Sequence, residues 1–149
     1  MPEAIRQGDI PGVQLRRRRE LTVGVDEAWR WLTESTLLAR WAAQRATVEP
    51  GPEGSLRLGG DAAEWEEQAT TVEWRPGERW VLAFRRSGDG WPVATRLAFE
   101  LTPRPGGCEV SILQQGFEKL PLSDGLTVWE GYRRRWEQAL ARLASALAD

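Results

Sequence analysis

The sequence predicts an α+β domain: a curved antiparallel sheet of about six to seven strands, two short helices after strand 1, and a long C-terminal helix packed across the sheet. Three observations carry this reading. A strand-like segment near residue 15 runs directly into two short helical segments within Val23–Trp41. Alternating segments separated by Pro/Gly turns then fill residues 46–115. Finally the period changes, and Trp129, Arg133, Trp136, Leu140, Leu143 and Leu147 recur at steps of three and four.

Residues 1–12 are polar, carry Pro2, Gly8, Pro11 and Gly12, and read as a loose N-terminal arm before a single domain over 13–149. The first strand, Leu15–Val23, has a basic centre. Period-2 alternation puts Leu15, Arg17, Arg19, Leu21 and Val23 on one face and Arg16, Arg18, Glu20 and Thr22 on the other. Asp26 is placed as the N-cap of a helix through Ala28–Leu32, with Glu27 at the positive end of its dipole. The chain turns at Thr33-Glu34-Ser35, and Ser35 or Thr36 is placed to cap a second helix, Leu37–Trp41.

Ala46–Glu49 and Ser55–Leu58 flank the turn Pro50-Gly51-Pro52-Glu53-Gly54 and read as a hairpin. Glu64–Trp74, Arg79–Arg86, Pro92–Thr102 and Cys108–Gln115 follow as strands. Arg75-Pro76-Gly77-Glu78, Ser87-Gly88-Asp89-Gly90 and Pro103–Gly107 separate them. The short connections predict an antiparallel meander. The closing stripe predicts a helix of about 22 residues, roughly 33 Å long.

Composition narrows the chemistry. At 149 residues the chain can bury its own core. A net charge of −2 gives no long-range pull on nucleic acid or anionic membrane. No apolar run reaches the roughly 20 residues of a membrane span. The first residues lack the basic start and apolar centre of a signal peptide. One cysteine, Cys108, allows no internal disulfide, so a cytoplasmic location is expected.

Histidine is absent, which removes Ser-His-Asp and Cys-His nucleophile systems and makes zinc and copper sites improbable. Catalysis would fall to carboxylates, Arg, Tyr132, Lys119, Cys108 or bound water, and no cofactor is implied. Glu66 and Glu67 are adjacent on a strand, point to opposite faces and cannot share a site, so they read as a charged, solvated strand. Arg133, Arg134 and Arg135 diverge by about 100° per position and make no clustered basic face for nucleic acid.

The order of these elements resembles the helix-grip fold of the START and birch-pollen-allergen (SRPBCC) superfamily. The motifs resemble most closely the bacterial branch named after the activator of the heat-shock-protein-90 ATPase. Val23 and Val25, Asp26-Glu27-Ala28-Trp29, Leu32-Thr33, Trp41, Gly116-Phe117 and Trp136 with Leu140 and Leu143 carry the resemblance, which covers about Leu15–Leu147. Two departures stand out. Arg135 occupies a position where the family usually has Gly, and Val25-Asp26 replaces a Pro-rich helix start.

The resemblance implies a cavity between sheet and C-terminal helix that takes a mostly apolar ligand. The inward-facing set would be Trp80, Leu82, Phe84, Leu97, Phe99, Leu101, Val110, Ile112, Trp129 and Trp136. The plain alternative is that these residues are core, since burying one Trp is worth roughly 4–6 kcal/mol as an upper figure.

Arg17, Arg19 and Arg133 pose a sharper question. An inward Arg needs a carboxylate partner, for which Glu67 and Glu73 are candidates, or an anionic ligand group. The expectation is that one of them anchors an acidic or carbonyl group on an otherwise apolar ligand, unless a bulge or twist exposes the pair on the first strand. A polyketide cyclase or aromatase-like enzyme, working without His or metal, is a second reading. A co-chaperone-like interaction domain with a chaperone partner is a third, and a homodimer is compatible with all three.

Overall fold

The computed structural model describes residues 8–60, 66–87, 91–120 and 125–148. Strand β1 (Gln14–Leu21) is followed by helices α1 (Val25–Thr33) and α2 (Ser35–Leu38). Six strands come next: β2 (Arg45–Glu49), β3 (Ser55–Gly59), β4 (Glu66–Arg75), β5 (Arg79–Ser87), β6 (Thr95–Arg104) and β7 (Gly107–Gln115). A 3-10 turn (Phe117–Lys119) leads to the long helix α3 (Gly125–Ala148). The sheet order is β1-β7-β6-β5-β4-β3-β2. The helix pair therefore carries the chain from β1 at one edge to β2 at the other, and the meander returns strand by strand until β7 pairs with β1.

Two helix starts differ from expectation. Gly24, with extended backbone, precedes α1 and no side chain caps it. Asp26 lies inside the first turn with Glu27, where both face the positive end of the dipole. Ser35 opens α2 rather than capping it, and its hydroxyl accepts from the Val48 amide at 2.8 Å, tying the helix to β2. Trp41 follows α2, and its indole donates to Trp31 O at 2.9 Å. That bond braces the helix pair, with Leu32 and Trp41 buried.

The register sets which side chains face the helix. Arg17, Ile112, Phe99 and Trp80 lie opposite one another across β1, β7, β6 and β5, and Gln114 lies opposite Leu15 and Leu97. Strand β4 carries a bulge between Thr71 and Glu73. The extra residue, Val72, is exposed. Because the period is two, this bulge reverses the parity of the strand. Glu67 and Ala69 point inward before it, and Trp74 points inward after it. At the far corner, a Cβ on Gly107 would sit 2.0 Å from Leu21 O, so only glycine lets β7 start against the end of β1.

One core joins sheet, α1, α2 and α3, with Trp41, Trp80, Trp136, Phe84, Phe99 and Phe117 as its largest fully buried side chains. A second, small cluster of Val81, Ala98 and Leu113 lies on the outer face. Among the described residues no helix is long and apolar enough to cross a membrane.

Candidate functional site

An unbroken series of ring contacts runs through the core. Trp29 meets Trp74 at 5.2 Å, Trp74 meets Trp80 at 5.6 Å, Trp80 meets Phe99 at 5.8 Å and Phe99 meets Trp136 at 6.2 Å. Trp136 stacks on Tyr132, which also touches Phe84 and Trp91 at 5.9 Å and Phe117 at 6.0 Å. Buried Gln114 orients this wall. Its Oε1 accepts from Trp136 Nε1 at 2.8 Å, and its Nε2 donates to Thr95 Oγ1 at 3.1 Å.

At the Tyr132 end the apolar wall gives way to a carboxylate. Glu67 is 1% exposed, so of its two expected places, a solvated strand or an inward partner for an arginine, it takes the inward one, though with Arg135 rather than Arg17, Arg19 or Arg133. Alternation places it inward with Ala69, opposite Arg86 on β5. Tyr132 donates its hydroxyl to Glu67 Oε2 at 2.5 Å, and Arg135 Nη1 pairs with the same oxygen. Arg135 also lies over the Trp136 ring at 5.0 Å and the Tyr132 ring at 5.6 Å.

Burial, reinforced by the negative charge of Glu67, pushes the Tyr132 hydroxyl well above its ordinary value, so it stays protonated. The buried polar atoms at this end without a hydrogen-bond partner include Glu67 Oε1, an acceptor, and Trp91 Nε1, a donor. The indoles of Trp41, Trp80, Trp129 and Trp136, by contrast, are all bonded.

The site residues read from sequence separate into two groups. Trp80, Phe84, Leu97, Phe99, Ile112 and Trp136 are brought together, all fully buried in one cluster. Trp129 is buried at the start of α3 and donates to Gln14 O at 2.7 Å, fastening the helix to β1.

The arginines lie elsewhere. Arg17 is buried, but its partner is Asp9: Nη1 donates to Oδ1 at 3.0 Å and Nη2 lies 2.9 Å from Oδ2. The Arg16 amide adds a bond to Oδ1 at 2.9 Å. Residues 8–12 are thus held against the edge strand, while residues 1–7 lie outside the described set. Arg19 is exposed on that edge. Arg133 is half-buried, pairs with Glu130, which raises its pKa further, and lies over the Trp129 ring at 5.9 Å. Glu73, inferred as an inward partner, is turned outward by the bulge and pairs with Arg75 at 2.9 Å.

Trp91 and Asp9 were not singled out from sequence, while Glu67 was named only as a partner for an inward arginine, Tyr132 only among the groups left for catalysis and Arg135 only within a basic run and as a departure from the family pattern. Tyr132 had a signal: it stands three residues after Trp129 and four before Trp136, on the same helical stripe.

The family model described as "Activator of Hsp90 ATPase homolog 1-like protein" matches residues 22–148. No curated protein sequence matches the chain. Several solved structures share the fold. Protein MLL2253 from Mesorhizobium loti is 19% identical with a TM-score of 0.78, covering 91% of this chain and 96% of its own. The Aha1 dimer from Colwellia psychrerythraea is 12% identical with a TM-score of 0.75, covering 91% and 96%. DynU16, a protein of the dynemicin biosynthetic locus, is 17% identical with a TM-score of 0.74. It matches 91% of this chain but 47% of its own length.

Proposed function

The chain belongs to the Activator of Hsp90 ATPase homolog 1-like family, and on that premise we propose that it binds a small hydrophobic or amphipathic molecule between the sheet and α3. The observation that carries this reading is the polar end of an otherwise apolar interior. Glu67 Oε1 and Trp91 Nε1 are buried and unbonded, and both belong to residues that touch Tyr132. Leaving such a group unpaired costs about 1–3 kcal/mol. A hydroxyl end, donor and acceptor at once, recovers that cost at both groups, and an amine end recovers it at Glu67, when the apolar body lies along Trp80, Phe84, Leu97, Phe99, Ile112, Trp129 and Trp136. Arg17 and Arg133, engaged by Asp9 and Glu130, are not its anchors.

The proposed setting is cytoplasmic, and the reading calls for no cofactor. The test is native mass spectrometry of protein purified from its own host, followed by thermal shift across a library of lipids and small aromatics. A retained small molecule, or a stabilising compound whose effect is lost in Glu67→Gln, supports the reading. No retained mass and no shift from any compound contradict it.

A cyclase-like enzyme is the second reading. It is favoured by the Glu67–Tyr132–Arg135 centre, where a held phenol and a guanidinium could polarise a carbonyl, and by the likeness to a protein of a biosynthetic locus. Turnover of a ketide substrate, lost in Tyr132→Phe, is its test. A chaperone partner rests on family membership alone, and pull-down with ATPase stimulation tests it. A homodimer, the state of the Colwellia relative, is tested by sedimentation.

A further inference from the structure

A groove of about 490 Å³ runs between α3 and the connection from α2 to β2. Its floor is made of small side chains, Ala39, Ala42 and Ala43. Among the described residues, every charged side chain lining it is an arginine: Arg40, Arg135 and Arg142. Arg135 and Arg142 stand seven residues apart on α3, two helical turns, and so project from one face about 10.5 Å apart along the axis.

Each guanidinium also contacts a neutral group. Arg142 Nε donates to Trp41 O at 3.1 Å, Arg135 Nη2 to Ala42 O at 3.5 Å, and Arg40 lies 4.8 Å over the Trp31 ring. The two acceptor carbonyls are consecutive, so the two helix arginines converge on one bend. Glu67, beneath the groove, offsets Arg135 alone.

We propose that this groove is a binding site for a small dianion of the phosphate-monoester class. Three guanidiniums with one offset by Glu67 leave two positive charges, which a dianion matches. A planar N–H fork matches either a carboxylate or a phosphate, but three forks together find more acceptor oxygens on a phosphate than the two of a carboxylate. The simpler account, that Arg135 and Arg142 only tie α3 to the carbonyls after α2, uses one N–H of Arg142 out of five. It also gives no reason for Arg40, or for the lack of any described carboxylate along the groove. The proposal is independent of a ligand in the interior.

The test is titration with phenyl phosphate and inorganic phosphate at low ionic strength, followed by calorimetry and backbone chemical shifts. One saturable site is expected, with shifts confined to residues 39–44 and to α3 around Arg135–Arg142. Arg40→Ala and Arg142→Ala each weaken binding by about tenfold or more. Arg134→Ala, on another face of α3 and paired with Glu130, leaves it unchanged. Arg142→Lys keeps the charge and the fold while losing the fork, and is expected to bind at intermediate strength. Non-saturable titration, unchanged affinity in the Arg40→Ala/Arg142→Ala double variant, or benzoate binding as tightly as phenyl phosphate would each overturn the proposal.

Discussion

The hydroxyl of Tyr132, in the middle of α3, donates to Glu67 Oε2 on β4 at 2.5 Å, joining residues 65 apart in sequence. Both side chains are nearly inaccessible, and Arg135 completes the pair with a positive charge from the next helical turn. The contact fixes where the long helix crosses the sheet. It also places a charged centre at the end of the aromatic interior. Since Tyr132 is the only tyrosine in the chain, its state can be read directly.

Its ionisation should be suppressed in the folded protein. Burial first, and the charge of Glu67 second, raise the folded pKa above the unfolded value of about 10. A raised folded pKa means the stability contribution is fully present below about pH 10 and lost as pH climbs toward the folded value. Ultraviolet difference absorbance should therefore show no tyrosinate in native protein at about pH 10, where a free tyrosine is half ionised. Tyrosinate should appear together with unfolding, and Tyr132→Phe should flatten the alkaline loss of stability.

Asp9 and Arg17 form a buried pair that double-mutant analysis should resolve. Removing one partner strands the other charge, so Asp9→Leu or Arg17→Leu alone should cost about 3–5 kcal/mol in urea unfolding. The double variant Asp9→Leu/Arg17→Leu should recover most of that loss. Additive losses would show that the two side chains do not depend on each other.

Gln114 should matter through what it leaves behind. Gln114→Leu keeps the volume but strands Trp136 Nε1 and Thr95 Oγ1, and should cost about 1–3 kcal/mol by denaturant titration. The Trp136 fluorescence environment should change with it.

Gly107→Ala should destabilise more than its size suggests. Its Cβ would meet Leu21 O at 2.0 Å, so the β1–β7 corner must open. A loss of about 1–3 kcal/mol or more is expected by thermal or urea unfolding, as for other overpacked positions.

The architecture was legible because periodicity survives in every element. The strand alternations, the turn residues and the Trp129–Leu147 stripe each mark one surface. The burial of Trp80, Phe99 and Trp136 in one core was legible for the same reason.

The polar centre was not. Glu67 looks like part of a charged strand, and its burial follows from parity that the Val72 bulge then reverses, so Glu73 could not share its face. Arg17 found its carboxylate in Asp9, within a segment that shows only turn signals in sequence. Arg19 shares the parity of buried Arg17 and Leu21 yet is exposed, together with its neighbours Arg18 and Glu20. Long-range pairing of charges is set by the closed sheet and the helix crossing, and local pattern does not encode either.

The central claim is that a small molecule enters the space between sheet and α3 and meets Glu67 and Trp91 there. The most direct measurement follows the indole N–H resonances of the nine tryptophans by nuclear magnetic resonance during titration with apolar molecules that carry a hydroxyl or amine. The account predicts saturable shifts at Trp91 and Trp136, with surface-side Trp29 and Trp74 less affected, and loss of the Trp91 response in Glu67→Gln. Shifts confined to Trp29 and Trp74, or no saturable shift with any such compound, would contradict it.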